Sequence, residues 1–177
     1  FLAYLSDTPR VNLIRYHYNN REDMFDRHSY QKGGRILHML RDLVGDDAFF
    51  ASLNLYLNNR AFKSAEVHDL RMAFEEVSGQ DLNWFFNQWF LDKGHPILEV
   101  NWNYVGDSLL LNVSQVQPLN QPTFKLPVDV DVYFSGKVER KKIWISKRKE
   151  TFVFENLEGV EAVNFDADKV LLMELNQ

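Results

Sequence analysis

The sequence predicts an α+β fold: an N-terminal α-helical subdomain of about four helices, followed by an antiparallel β-sandwich. Apolar residues recur at helical spacing up to about residue 94, then alternate with a period of two after residue 96. Between the two patterns stands Gly94-His95-Pro96, a helix-ending glycine and proline that mark the join. The expected domains are therefore residues 1–94 and 95–177 of the 177-residue chain.

Residues 1–28 show no sustained period and read as loop, with a short strand at Asn12 to Tyr18. Ile36, Leu37, Leu40, Leu43 and Val44 then make one face of a helix from about Ser29 to Val44, ended by Gly45. Phe49, Phe50, Leu53, Tyr56 and Leu57 mark a second, opened by Asp46 and Asp47, whose charge suits the positive end of the helix dipole. Val67, Leu70, Phe74 and Val77 define a third, stopped at Ser78-Gly79. Asp81 can cap a fourth, with Leu82, Phe85, Phe86, Trp89 and Phe90 as its apolar stripe. In "HSYQKGG", residues 28–34, two glycines stand at the head of the first helix, where each costs about 1 kcal/mol against alanine. Either something approaches the backbone closely there, or the helix start is loose.

Beyond Pro96, Leu98, Val100, Trp102 and Tyr104 alternate, as do Leu109, Leu111 and Val113, with Val105-Gly106-Asp107 as the turn between them. Leu126, Val128, Val130, Val132 and Phe134 form the longest strand, and Pro127 favours an edge position or a bulge. Shorter strands are expected at Lys142–Ser146, Thr151–Glu155, Val160–Phe165 and Val170–Glu174. Six or seven short strands at this spacing suggest an antiparallel sandwich.

Hydrophobic residues make up 45% and charged residues 25%, the balance of an ordinary soluble globule. No apolar run approaches a membrane span, and the first residues, FLAYLSDTPR, lack the basic leader of a targeting signal and look like a chain entered midway. Localisation is not legible. The absence of cysteine rules out disulfides and thiolate chemistry. A net charge of -5 argues against nucleic acid as a partner. The basic run KVERKKIWISKRK, residues 137–149, reads as a solvated sheet face with its turns, a basic docking surface being the alternative.

The 5 histidines show no His-x-x-x-His spacing and no His-Glu-x-x-His motif, so no zinc face is encoded. Gly-rich phosphate loops and a Gly-x-Ser-x-Gly elbow are also missing. Asp23, Asp26 and His28 could make a carboxylate–histidine pair, although three polar residues in a loop are more often solvated. His38 reads as a packed or half-exposed histidine, and Trp84 and Trp89 as core filling. Tyr30 remains: a phenol can donate a hydrogen bond to an oxygen that gains charge in a tetrahedral intermediate.

"SYQKGGRILHMLRDLVGDDAFFASLNLYL" and "HDLRMAFEEVSGQDLNWFFNQWFLDKGHPILEV" resemble the aminopeptidase N family of zinc aminopeptidases, relatives of thermolysin. The elements in order are Tyr30-x-Lys32-Gly33, Met39 to Arg41, Gly45-Asp46 with Phe49, Asp69-Leu70, Ser78-Gly79, and Trp89 ahead of Gly94-x-Pro96. The likeness covers about residues 15 to 100, and the strands after it resemble the family's small β-sandwich domain. It implies that residues 1–94 are the helical end of a thermolysin-like catalytic domain. Tyr30 then matches the family tyrosine that stabilises the tetrahedral intermediate, the one catalytic residue this chain would contribute. The resemblance also implies zinc in the intact parent, a peptide substrate, and an upstream zinc-bearing subdomain of the same polypeptide. The chain alone is expected to bind no zinc and to be inactive. The alternative is a non-catalytic aminopeptidase-like scaffold. If the helical half normally packs on such a subdomain, its many aromatics (Phe49, Phe50, Phe74, Phe85, Phe86, Trp89, Phe90) should leave an apolar patch exposed near Tyr30.

Overall fold

Ile36, Met39 and Leu40 recur at three- and four-residue spacing and are buried, giving α1 (Gly33–Val44) its inner face. The computed structural model describes residues 11–176, and the chain divides into two units, Phe1–Gly94 and His95–Gln177. In the first unit Gly45 ends α1 at φ 84°, a left-handed angle that a side chain would resist, and its N–H donates to Arg41 O at 2.8 Å. Asp46 opens α2 (Asp46–Asn59) and accepts two hydrogen bonds from the Arg41 guanidinium, at 2.8 and 2.6 Å. The Arg41 contact holds the Asp46 carboxyl below the usual carboxylate range. A capping box of Glu66 and Asp69 starts α3 (Val67–Ser78), and Gly79, in the left-handed conformation, stops it. Phe49 of α2 meets Phe74 of α3 edge-on, with ring centroids 5.4 Å apart.

The fourth helix is shorter than its apolar stripe. α4 spans Asn83–Phe86 and passes into a π-helical turn, Asn87–Leu91. Asp81 does accept the Asn83 N–H, at 2.9 Å. The wider turn brings Phe86 and Phe90 into a stack, centroids 4.6 Å apart, and buries Phe85 and Trp89. Asn12–Tyr18 forms no strand. It is tied instead to that last turn, the Ile14 backbone N–H donating to Phe90 O at 2.9 Å and the Asn12 side-chain Nδ2 to Leu91 O at 2.6 Å. A short 3-10 turn, Arg21–Met24, follows, capped by Asn20.

The second unit holds seven strands in two sheets: β1 (Ile97–Val105), β2 (Ser108–Gln115), β3 (Leu126–Phe134), β4 (Lys137–Ile145), β5 (Lys149–Phe154), β6 (Val160–Phe165) and β7 (Glu174–Asn176). The sheet orders are β5-β2-β1-β7 and β4-β3-β6. Leu98, Leu109, Leu111 and Val113 of the first sheet, and Val128, Val130, Val132 and Ile145 of the second, are the buried alternation. Two expectations change. The last strand begins at Glu174 rather than Val170, because the Asp166 carboxylate accepts the Val170 and Leu171 N–H groups and holds that stretch as a turn. β7 also pairs parallel with β1, so the unit is not wholly antiparallel. Pro127 lies on the central strand β3, yet its missing N–H costs nothing on one side: β6 pairs with β3 only from Val130 onward. The basic run becomes β4 and its turns, with Ile143 and Ile145 inward. Arg140 is bonded to Asp131 of β3 and to Asp168.

Candidate active site

Tyr30 lies in a π-helical turn, His28–Lys32, that leads directly into α1. The Gly33 N–H reaches back five residues to His28 O. Such a turn is rare, and one wide turn inside a helix often accompanies a functional position. Tyr30 is 61% exposed and its neighbour Phe25 is 67% exposed, their ring centroids 6.1 Å apart. The hydroxyl makes no hydrogen bond among the described residues. On the inner side of the same turn His28 and Lys32 are buried.

What holds this turn is Asp26. Its Oδ1 accepts the Ser29 N–H at 2.8 Å, and its Oδ2 accepts from Arg15 Nη1 at 2.6 Å. Arg15 Nη2 also reaches Ser29 Oγ at 3.4 Å. Burial alone would raise the Asp26 carboxyl, but the bonds from Arg15 and Ser29 outweigh it, and the group sits below its ordinary value. His28 Nδ1 is 3.8 Å from Asp26 Oδ2, while its Nε2 accepts the Val11 N–H at 3.4 Å. The carboxylate–histidine neighbourhood suggested by the sequence is thus formed by Asp26 and His28. Asp23 is not part of it, since its carboxylate caps the Asn19 and Asn20 N–H groups. Arg15 was not legible, because nothing in a loop without period marks one arginine. The π turn likewise leaves no signal beyond the glycines that follow it.

Those glycines touch little. A Cβ on Gly33 would meet Leu13 Cδ1 at 3.6 Å, an ordinary contact, and one on Gly34 would meet nothing within 4 Å. Close approach within this chain does not explain them. His38 is exposed rather than packed, Trp89 is core, and Trp84 is half-buried. Six of the seven aromatics expected to overfill the helical half are buried, Phe50 at 55% exposure being the exception. Mutual ring contacts absorb them. The other exposed aromatics of this unit are Phe25 and Tyr30, Tyr16 and Tyr18 on the preceding loop, and Phe62 beyond α2. Tyr16 and Tyr18, with Arg15, His17, Asp23 and Met24, line an open cavity of about 750 Å³. Among the described residues no group of three or more His, Asp or Glu side chains is placed to hold a metal ion.

The chain thus joins a helical unit bearing an exposed phenol to a unit of two β-sheets. Residues 6–89 match the Peptidase family M1 domain, and the chain belongs to that family. It is 31% identical over 153 residues to Probable aminopeptidase 1 of Sulfurisphaera tokodaii, which covers 82% of this chain and 18% of that protein. It is 36% identical over 86 residues to aminopeptidase N of Lactococcus lactis, 49% of this chain and 10% of that one. The crystal structure of Legionella pneumophila aminopeptidase A in complex with aspartic acid superposes with a TM-score of 0.80 at 18% identity, over 94% of this chain and 20% of that chain, and shows the shared fold. The chain thus spans a fifth or less of the length of these relatives.

Proposed function

We propose that the chain is part of a zinc-dependent aminopeptidase that removes N-terminal residues from peptides, and that Tyr30 is its contribution to the chemistry. In this reading residues 1–94 are the end of the catalytic domain and residues 95–177 a β-sandwich domain. The zinc ligands come from elsewhere in the polypeptide, and the described residues bind no zinc in stoichiometric amount. The observation that carries the reading is the state of Tyr30: exposed, with an uncommitted hydroxyl, on a π turn braced by Arg15, Asp26 and Ser29. A solvated tyrosine with no role would not need a buried-side brace beneath it. The Tyr30 phenol donates to the carbonyl oxygen as that oxygen becomes an oxyanion, and the Arg15–Asp26 clamp fixes where the donor stands.

The test is Tyr30→Phe in the intact parent enzyme. Loss of one oxyanion donor costs about 2.7–4 kcal/mol, so kcat should fall by about 10²–10³ with little change in KM. A folded variant with unchanged kcat would remove Tyr30 from the mechanism and favour the scaffold alternative.

A further inference from the structure

We propose that the free half of β1 is a self-association edge, which pairs antiparallel with the same strand of a second copy of this chain. β7 covers only the first three residues of β1, pairing Ile97, Leu98 and Glu99 with Glu174, Leu175 and Asn176. From Val100 to Val105 no strand among the described residues pairs with β1 on that side, although β2 pairs along the other. Alternate N–H and C=O groups of this stretch therefore point outward with no ladder partner.

The side chains distinguish this edge from the others in the unit. β4 carries Lys137, Glu139, Arg140, Lys141 and Lys142, β5 carries Lys149 and Glu150, β6 carries Glu161, and β7 carries Glu174. Charge is the usual means of keeping an edge strand single. Val-Asn-Trp-Asn-Tyr-Val, residues 100–105, has none, no proline, and a strong strand composition. The inward-facing positions of β1 also lose cover along its length: Leu98 is 0% exposed and Val100 7%, but Trp102 is 40% and Tyr104 36%. Val100, Asn101 and Trp102 of β1, with Val163 and Phe165 at the free edge of β6, line a groove of about 260 Å³. The seam between the sheets is open where the uncharged edge begins.

A second copy fits this edge by its own symmetry. A two-fold axis that keeps the sheet continuous must place inward positions opposite inward positions. Centred on Asn103, it sets Asn103 against Asn103, Trp102 against Tyr104 of the second copy, and Asn101 against Val105. That arrangement juxtaposes no charges, brings two aromatic pairs over the open seam, and stops short of Glu99, where β7 already lies.

The chain has no cysteine, so one introduced residue reports the register. Asn103→Cys should form a disulfide-linked dimer on mild oxidation, since antiparallel partners lie within bridging distance, and Asn101→Cys, which faces Val105, should link far less. Sedimentation across a concentration series should show a monomer–dimer equilibrium for the unmodified chain and monomer alone for Asn103→Lys, with unchanged far-ultraviolet circular dichroism. An unmodified chain that stays monomeric, or equal crosslinking at the two positions, would overturn the proposal. So would a dimer that survives Asn103→Lys and is lost in Phe25→Ser, since the helical unit would then carry it. Should Asn103→Lys misfold, the crosslinking comparison still decides.

Discussion

Asp26 shows how one side chain positions another that it does not touch through its own chemistry. Its two oxygens divide between the backbone N–H of Ser29, the residue just before Tyr30, and the guanidinium of a loop 11 residues away. Because those bonds lower its carboxyl below the ordinary aspartate value, the folded state gains stability that is full above that ordinary value and is lost as pH falls through the depressed one. The Asp26 carboxyl, followed by carbon-13 chemical shift, should therefore titrate below an unperturbed aspartate, and the loop of residues 11–15 should loosen only as it does so. A midpoint at or above that of an unperturbed aspartate would mean that burial, not Arg15, governs the group. Gly34 gives the opposite lesson, since nothing surrounds it. Gly34→Ala should stabilise this chain by about 0.5–1 kcal/mol through helix propensity and a smaller unfolded ensemble, read as a shift in the urea midpoint. Destabilisation would show that the α1 head needs a bare backbone after all.

Elements in the helical unit are fixed more by their ends than by their faces. α1 stops where Gly45 turns left-handed, and Asp46 starts α2 at once, clamped by Arg41. α3 is bounded by a capping box and a left-handed glycine. These signals are local, and the expected boundaries of α1, α2 and α3 lie at or near the observed ones. The faces are held by aromatic contact: Phe74 of α3 is fully buried and meets Phe49 of α2. Phe74→Ala should cost about 3–5 kcal/mol, the price of a large buried ring and the cavity it leaves. A denaturant melt showing a loss under 1 kcal/mol would mean that the α2–α3 contact is not what holds the unit. The two π turns were not predictable in this way. A one-residue change of hydrogen-bond register leaves the apolar spacing nearly intact, so the period reads the same for either helix.

For the molecule as a whole, each of the two units has its own buried residues, from Ile36 and Phe74 in the first to Val130 and Phe165 in the second. Residues 95–177 expressed alone should therefore keep a β-rich circular dichroism spectrum and unfold cooperatively, whereas a spectrum of disordered chain would show that the sandwich depends on the helical residues. The sequence by itself determined the α+β class, most strand positions, and a family resemblance that the family match bears out, because periodicity, turn chemistry and motif order are properties of neighbours along the chain. It also singled out Tyr30 as the residue to examine. Only the tertiary structure decided that Asn12–Tyr18 is a tied loop, that Arg15 braces the Tyr30 turn, and that β7 joins β1 in parallel and covers no more than Ile97–Glu99 of it. Each of those depends on which distant backbone group or side chain fills a hydrogen bond, and Arg15 and Asp26, or Glu99 and Asn176, carry no mark in sequence of the partner they meet.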